Sequence, residues 1–395
     1  MTDRVFTYTS KLIEKHGPRL TGSRACQDTA EDLYQNMKKF ADNARIEEFK
    51  VYSGALLGWI RILVGLYVAG TALLWFNQPW IAAAVLLTGI LIMVFQFFLY
   101  KHMIDFLYPK KTGKNVIASV EPEGEVKQQI IISGHHDSAR VFNFNIYQPK
   151  LYALRVVGGV GILFTLFLFS AIVAIAGLSY TFITIAAVFG SVGALIVLQL
   201  WFFASKKATP GAGDNLVASV MALESLRQIA KNKKEGKGLK HTRVTAISFD
   251  AEEEGLRGAY AFAQKHRKEF EALPTFMYNI DCPYYLDDLF FLTTDINGSV
   301  KLSDDLAEKC RVISERLGYK AVIKPIEFLT GGTDAAELAK VGVEATTMLA
   351  MPWGNSARAP VYHTPNDTID HVEKEVVQAG LEIFFKLLTE KESML

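Results

Sequence analysis

Four long apolar segments constrain this chain more than any other feature of its 395 residues. They cover residues 54–76, 80–100, 156–178 and 181–204, and they contain almost no charged residue. An α-helix needs about 20 apolar residues to cross the hydrocarbon core of a bilayer, and each segment has about that length. A water-soluble core does not require four such helices, so the sequence predicts four transmembrane helices.

The segments are joined in two pairs by very short links. The tripeptide NQP at 77–79 joins the first pair, and the dipeptide SY at 179–180 joins the second. Links this short require antiparallel neighbours, so two transmembrane hairpins are predicted, over 54–101 and 151–204. Each hairpin returns the chain to the side that it left, and the other residues can therefore form one water-soluble domain. That domain comprises residues 1–53, 102–150 and 205–395.

Basic residues flank the apolar segments on one side only, and neither short link carries a charge. They are Arg61, Lys101, Lys110, Lys111, Lys114, Lys150, Arg155, Lys206 and Lys207. The positive-inside rule places that side in the cytoplasm. We therefore expect a multi-pass protein of the lipid bilayer with a cytoplasmic domain. Small residues such as Gly159 and Gly190 favour close helix packing, within one chain or in a homo-oligomer formed through the transmembrane helices.

Strand and helix patterns alternate in the water-soluble part. Two amphipathic helices are predicted before residue 43, and a strand over 45–52. Strands over 115–121 and 128–134 are predicted to form a pair around the turn PEGE, and regular alternation follows beyond residue 214. This pattern predicts an α/β fold: a three-layer α/β/α sandwich with a central mixed, mostly parallel sheet.

Charge and cysteine content argue against several classes of protein. The 42 Lys and Arg residues nearly balance the 41 Asp and Glu residues, and a net charge of +1 gives no general attraction to nucleic acid. The cysteines Cys26, Cys282 and Cys310 are three in number, widely spaced and without a CxxC motif. The sequence therefore indicates neither a disulfide framework nor a cysteine-based metal site.

Histidines and acidic residues gather at the ends of the predicted strands, where open α/β sheets place their sites. The stretches are GHHDS (134–138), PGAGDN (210–215), FDAEEEG (249–255), YNIDCP (278–283) and VYHTPNDT (361–368). Together they offer two histidines and three carboxylates, a ligand set for two divalent metals. Imidazole and carboxylate suit zinc, with manganese or cobalt as alternatives. Because side chains alternate along a strand, His135 and Asp137 should point one way and His136 the other.

In this order, the motifs HxD, GxDN, AEExGLxG, NxD and YHTPxDT resemble those of the co-catalytic dizinc aminopeptidases. That family also includes glutamate carboxypeptidase-like enzymes and glutaminyl cyclases. The resemblance implies Glu252 as general base and Asp137 as the carboxylate that orients a ligand. It implies two zinc ions held by His135, Asp214, Glu253, Asp281 and His363, with Asp214 bridging. The stretch GGTDAAEL (331–338) resembles the family's substrate-pocket segment. The expected substrate-binding residues are Thr333, Asp334 and Tyr362.

The function implied is a membrane-integral, zinc-dependent exopeptidase, and first of all an aminopeptidase that acts on peptides through metal-activated water. A glutaminyl cyclase-type aminoacyltransferase is an alternative, as is carboxypeptidase or dipeptidase specificity. A non-catalytic scaffold or receptor would have lost metal ligands, and here all five are present. A transporter would need charged residues inside its membrane-spanning helices. The second hairpin interrupts the sequence between His135 and Asp214. It is either a simple anchor or a device that holds the site near the bilayer, and in the second case we expect peptides at the membrane surface as substrates. Glu254 is expected to be a solvated side chain and Cys282 a packing residue.

Overall fold

The computed structural model describes residues 1–354 and 360–395 and divides into two compact units. One unit comprises Met1–Ser53, Lys110–Arg140 and Lys207–Leu395. The other comprises Gly54–Pro109 and Val141–Lys206, and it contains the four long apolar segments. Twelve α-helices form within the described residues. They are α1 (Thr2–His16), α2 (Arg24–Met37), α3 (Ala55–Trp75), α4 (Pro79–Met93), α5 (Asn143–Ile146), α6 (Tyr152–Ile175), α7 (Tyr180–Val197), α8 (Val217–Lys234), α9 (Arg257–Ala272), α10 (Asp304–Arg316), α11 (Ala335–Ala339) and α12 (Lys374–Glu392).

The first unit is built on an eight-stranded sheet. Its strands are β1 (Asn43–Tyr52), β2 (Lys110–Val120), β3 (Gln128–His135), β6 (Thr242–Phe249), β7 (Thr275–Pro283), β8 (Leu289–Leu292), β11 (Val322–Lys324) and β12 (Glu344–Ala350). Short strands outside it are β4 (Arg140–Phe142), β5 (Ala204–Ala208), β9 (Thr294–Asp295) and β10 (Val300–Lys301). The spatial order is β1-β2-β6-β3-β7-β12-β8-β11. Strands β6, β3, β7 and β12 run parallel, which confirms the predicted mixed, mostly parallel sheet and brings four strand ends to one edge.

Helices cover both faces of this sheet, as two consecutive residues of β6 show. Ser248 Oγ lies 2.7 Å from Ser219 Oγ on α8. The next residue, Phe249, packs against Phe262 on α9 with 5.9 Å between ring centroids. Because successive side chains of a strand point to opposite faces, α8 and α9 lie on opposite sides of the sheet. The three-layer prediction is therefore confirmed.

Helix α8 and strand β3 approach each other closely, and this contact positions the end of β3, where His135 and His136 lie. A Cβ built at Gly134 would lie 2.5 Å from Ala218 Cβ and 2.9 Å from the backbone of Ala218 and Ser219. Glycine is therefore required where the helix meets the strand. The contact holds the first turn of α8 and the preceding loop, which includes Asp214, beside the end of β3.

The prediction that the strands before and after PEGE pair with each other is wrong, because β2 and β3 are not neighbours in the sheet. Strand β6 lies between them, antiparallel to β2 and parallel to β3. Every residue of β3 is buried, and the run Ile130–Ile132 gives it an apolar centre. Strands buried on both faces are typical of the middle of a parallel sheet. The seven-residue link at 121–127 is long enough to pass one strand, a step of about 10 Å at the usual strand spacing.

The second unit contains four helices long and apolar enough to cross a membrane: Ala55–Trp75, Pro79–Phe98, Pro149–Ile175 and Tyr180–Phe202. Helix α3 contacts α4 and α7, and α6 contacts the same two helices, which closes a four-helix bundle. Small residues allow the close approach: a Cβ at Gly190 would lie 2.9 Å from Thr71 Oγ1. Tyr67 Oη also donates a 2.6 Å hydrogen bond to the Gly190 carbonyl.

The outer surface of this bundle is apolar. Leu195 is 74% exposed, Ile175 73% and Val192 62%, although each is a large aliphatic side chain. Extended apolar surfaces of this kind are rare on proteins surrounded by water and usual where lipid is the solvent. The helices thus have both the length and the exterior that a bilayer requires.

Candidate metal centre

The predicted ligands converge at the edge of the sheet where its parallel strands end. His135 is the last residue of β3, Asp281 lies near the end of β7, and Glu253 follows β6. Asp214 lies in the loop before α8, and His363 lies in a turn near the C-terminal helix. All of them are buried except Glu253, whose side chain is 15% exposed. Segments more than 200 residues apart in sequence therefore contribute to one site.

Asp214 lies between the two histidines, with one carboxylate oxygen toward each. Its Oδ1 is 3.3 Å from His135 Nε2, and its Oδ2 is 3.1 Å from His363 Nε2. Glu253 Oε1 lies 3.6 Å from His363 Nε2, and Asp281 Oδ1 lies 4.0 Å from His135 Nε2. Ligand atoms of a tetrahedral zinc site are separated by about 3.3–3.6 Å, given metal–ligand distances of about 2.0–2.2 Å. Two of these four separations, 3.3 and 3.6 Å, lie in that range, and the other two, 3.1 and 4.0 Å, lie within about 0.4 Å of it.

Several ligand atoms are buried and lack a hydrogen-bond partner in the part of the chain that the structure describes. They are His135 Nε2, Asp214 Oδ2 and Glu253 Oε1. A buried polar atom without a partner costs about 1–3 kcal/mol. A divalent cation would satisfy all three, and imidazole with carboxylate is a donor set that suits zinc. The residues therefore fit a zinc ion.

The electrostatics of the centre also favour a cation. Burial raises the pKa of Glu253 well above its usual range, and the charge of Asp214 adds to this. Burial raises the pKa of Asp281 to about 7, against the opposing effect of His135. Burial would raise the pKa of Asp214 as well, but its close contacts with His135 and His363 lower it. So many carboxylates in one dry site repel one another unless positive charge is supplied.

Asp137 lies behind the ligands, close to His135 and to the backbone of Glu252 and Glu253. Its Oδ1 is 3.3 Å from His135 Nδ1 and accepts a 3.1 Å hydrogen bond from the Glu252 amide. Its Oδ2 accepts hydrogen bonds from the Glu253 amide at 3.2 Å and from Thr21 Oγ1 at 2.8 Å. One carboxylate thus sets the ring of the first histidine and the backbone of both glutamates. Carboxylates in this position tune metal sites strongly.

His136 points away from the centre, as the alternation of side chains predicts. Its Nδ1 lies 2.8 Å from Ser248 Oγ, on the face of the sheet covered by α8. Burial lowers the pKa of His136 to about 3, so the ring is neutral.

Arg19 is a residue that the sequence gives no reason to select. Its side chain is fully buried, and its guanidinium donates to the carbonyls of Gly17, His136, Pro210 and Gly211. It therefore holds together the chain segments before α2, after β3 and before Asp214. An isolated arginine after Gly-Pro carries no local pattern, and only the tertiary fold reveals this role.

Asp367 is a second unselected residue, and it fixes the loop that carries Asp214. Its oxygens accept hydrogen bonds from the Gly213 amide at 2.8 Å and the Asp214 amide at 3.3 Å. It stands four residues after His363 in the motif VYHTPNDT, so the motif supplies both a ligand and the anchor of another ligand.

Replacing Asp367 with asparagine should weaken zinc binding about 10- to 100-fold, because an amide oxygen can replace only one of the two acceptors. The measurement is zinc affinity by competition with a chelator, with thermal unfolding as a check on folding. Asp370→Asn, an exposed change three residues away, is the control. Equal zinc affinities for the two variants would contradict this role.

The three predicted substrate residues have different surroundings. Thr333 Oγ1 lies 2.6 Å from Asp295 Oδ2 and 2.6 Å from Thr347 Oγ1, so its hydroxyl is engaged inside the protein. Asp334 is buried, its Oδ1 has no hydrogen-bond partner among the described residues, and the charge of His135 acts on its carboxyl. Tyr362 stacks on His363 with 4.0 Å between ring centroids. Asp334 and Tyr362 therefore lie beside the ligands, whereas Thr333 braces the loop.

The expectation that Glu254 is solvated is wrong. Glu254 is only 7% exposed, and Ser53 Oγ lies 3.4 Å from Glu254 Oε1. The chain turns sharply here, with positive φ at Ala251 (61°) and Leu256 (60°), so the glutamates follow a tight turn. This turn sets the directions in which the side chains of Glu252, Glu253 and Glu254 leave the backbone. Cys282, predicted to be a packing residue, is buried, and ligand atoms of Cys282, Asp214 and Asp281 lie within 4.8 Å of one another.

A three-layer α/β fold with histidine and carboxylate ligands gathered at its parallel strand ends defines an α/β metalloenzyme. The sequence signature described as Peptidase family M28 matches residues 191–388, about half of the chain. The chain therefore belongs to peptidase family M28, and it has the fold and a ligand cluster of a zinc-dependent peptide hydrolase. By sequence, no curated protein matches it.

Solved structures with the same fold include both peptidases and cyclases. A Zn-dependent exopeptidase from Parabacteroides distasonis aligns with a TM-score of 0.58 and 12% identity, over 98% of this chain and 97% of that chain. A zinc aminopeptidase from Bacillus subtilis gives 0.57 and 15%, over 99% and 95%. A glutaminyl cyclase from Porphyromonas gingivalis gives 0.59 and 13%, over 99% and 98%. At these identities the similarity establishes the fold.

Proposed function

We propose that this protein is a membrane-integral zinc exopeptidase that removes N-terminal residues from peptides. The observation that carries the proposal is the position of Glu252. Its Oε2 lies 3.8 Å from His135 Nε2, and its side chain is 11% exposed. The ligands His135, Asp214 and Asp281 are 5% exposed or less, whereas Glu253 is 15% exposed, so the two glutamates lie on the accessible side of the centre. A carboxylate there can reach both a water molecule and a substrate.

We infer two zinc ions rather than one. His135 and His363 approach different oxygens of Asp214, so the carboxylate is placed to bridge. His135 and Asp281 would hold one ion, and His363 and Glu253 the other. With Asp214 shared between the two ions, this division uses all five predicted ligands.

The chain's own residues then supply the proton transfers. Bound zinc supplies Lewis-acid polarisation of a carbonyl and makes water acidic near neutral pH. Glu252 accepts the proton of the attacking water and delivers it to the leaving amine. Burial raises the pKa of Glu252 well above its usual range, which helps the carboxyl to carry a proton between these steps. Asp137 keeps His135 and the backbone of Glu252 in place throughout.

The charges around the centre favour a substrate N-terminus over a C-terminus. Burial raises the pKa of Asp334 well above its usual range, and an ammonium group beside this carboxyl would favour its charged form. A carboxypeptidase would instead need a cation to bind the terminal carboxylate. Arg19 interacts electrostatically with Asp137 and Asp214, but its donors are taken by backbone carbonyls. This charge balance supports aminopeptidase action.

Glutaminyl cyclase activity is the second candidate, because cyclases share this fold. It would release ammonia from an N-terminal glutamine without cleaving a peptide bond. The five-ligand geometry supports hydrolysis instead, since a bridged pair of metals is typical of hydrolytic sites.

We further propose that the substrates are peptides at the membrane surface and that the catalytic unit is cytoplasmic. The second hairpin is inserted in sequence between His135 and Asp214, which ties two ligands of one centre to a membrane segment. The distribution of basic residues supports the cytoplasmic side.

Product analysis of four matched peptides would test these proposals. A soluble and an acyl-anchored peptide that begin with glutamine would each be supplied with a free or acetylated N-terminus, in lipid vesicles containing the protein. We expect stepwise loss of N-terminal residues from the free peptides, faster for the anchored one, and no change in the acetylated pair. Release of ammonia alone would indicate a cyclase. Cleavage of the acetylated peptides would overturn the aminopeptidase proposal, and equal rates for the two free peptides would overturn the membrane preference.

A further inference from the structure

A second group of metal-ligating side chains lies outside the centre described above. Cys26 comes from α2, His136 follows the end of β3, and Asp250 follows the end of β6. One donor atom from each lies within 4.8 Å of the other two. All three residues are 0% exposed. None of them belongs to the five-ligand set.

His136 has an unused ring nitrogen in this group. Its Nδ1 is paired with Ser248 Oγ at 2.8 Å, and that hydroxyl lies 2.7 Å from Ser219 Oγ. Its Nε2 is buried and has no hydrogen-bond partner among the described residues. Histidines that ligate metals are usually held in this way, with one nitrogen fixed by a neighbour and the other directed at the ion.

Asp250 is held as rigidly as a ligand needs to be. Its Oδ2 accepts a 2.8 Å hydrogen bond from the Lys114 amide, and its own amide donates to Asn115 Oδ1 at 3.1 Å. The remaining oxygen, Oδ1, accepts a 3.3 Å hydrogen bond from Cys26 Sγ, and a zinc ion would take the place of that thiol proton. The thiol, the imidazole and one carboxylate oxygen therefore face one another with their other contacts already satisfied.

We propose that Cys26, His136 and Asp250 bind a further zinc ion, separate from the catalytic centre. Sulfur, nitrogen and oxygen donors from one Cys, one His and one Asp are all common zinc ligands. A thiolate and a carboxylate would balance the charge of the dication, so the buried site would be neutral. The same ion would satisfy His136 Nε2, which otherwise lacks a partner.

The location indicates a structural role. His136 adjoins His135, and Asp250 lies two residues before Glu252, whereas Cys26 lies on α2. An ion at this point would fasten α2 to the two strand ends that carry the first ligand and the general base. The sequence does not suggest this site, because each ligand comes from a different segment and no short spacing connects them.

Cobalt substitution tests the site independently of activity. Cobalt bound to a thiolate shows a charge-transfer absorption in the near ultraviolet, which nitrogen and oxygen ligands do not produce. We expect this band in the full-length protein after zinc is exchanged for cobalt. We also expect Cys26→Ala to lose the band and one zinc per chain. Cys310→Ala is the matched control, since Cys310 is a buried thiol in α10.

Cys282 needs separate treatment because it follows Asp281. In the double variant Cys282→Ala, Cys310→Ala, Cys26 is the one cysteine left of the three in the sequence. A band in that variant must come from Cys26, and this measurement decides the question even if Cys26→Ala fails to fold. Absence of the band from the folded double variant would overturn the proposal. So would a band and an unchanged zinc content in Cys26→Ala.

Discussion

Replacing Glu252 with glutamine is expected to lower turnover about 10²- to 10⁴-fold, the usual contribution of a general base, while the zinc content stays unchanged. The carboxylate lies 3.8 Å from His135 Nε2 on the accessible side of the centre. Glutamine has the same shape but cannot accept a proton. The loss should therefore appear in kcat more than in KM. Initial rates on an unblocked peptide and metal analysis of the same sample would test this.

The neighbouring glutamate provides a matched control. Glu254→Gln makes the same chemical change two residues away, and an amide oxygen can still accept the bond from Ser53 Oγ, seen at 3.4 Å. We expect this variant to keep its activity. Equal turnover of Glu252→Gln and the unchanged protein would exclude Glu252 as the base. If Glu252→Gln instead lost its zinc, Glu252 would be a ligand.

The sequence predicted the ligand cluster and the parallel sheet because both depend on local patterns. Apolar runs such as Ile130–Ile132 indicate buried strands, and the ends of parallel strands meet at one edge of the sheet. The motif VYHTPNDT placed His363 correctly in the cluster although it lies more than 200 residues from His135. The four helices that are long and apolar enough to cross a membrane follow from length and hydrophobicity alone.

Other features depend on tertiary packing and could not be predicted in this way. The order of β2, β6 and β3 depends on which strands pair with one another along their edges, a comparison that no single segment contains. Arg19 acts through four carbonyls from three separate segments. The group that includes Cys26 joins a helix to two strand ends. Each case arises from contacts between residues distant in sequence.

Replacing Asp214 with asparagine is expected to produce the largest combined effect on metal binding and activity. An asparagine side chain offers one oxygen, so it cannot serve two ions, and it removes a negative charge next to both histidines. Because carboxylates that only orient metal ligands contribute about 10–100-fold to metal affinity, a bridging ligand should contribute more than about 100-fold. We expect peptide hydrolysis to fall below detection and the catalytic zinc to be lost.

Metal analysis with cobalt spectroscopy separates this loss from general unfolding. The thiolate band assigned to Cys26 should persist in Asp214→Asn, because Asp214 contributes no atom to that group. Asp287→Asn, an exposed carboxylate elsewhere in the same unit, should change neither metal content nor activity. If Asp214→Asn retains its full zinc content and hydrolyses peptides, the carboxylate does not bridge. The approach of His135 and His363 to its two oxygens would then reflect two independent contacts rather than one shared ligand.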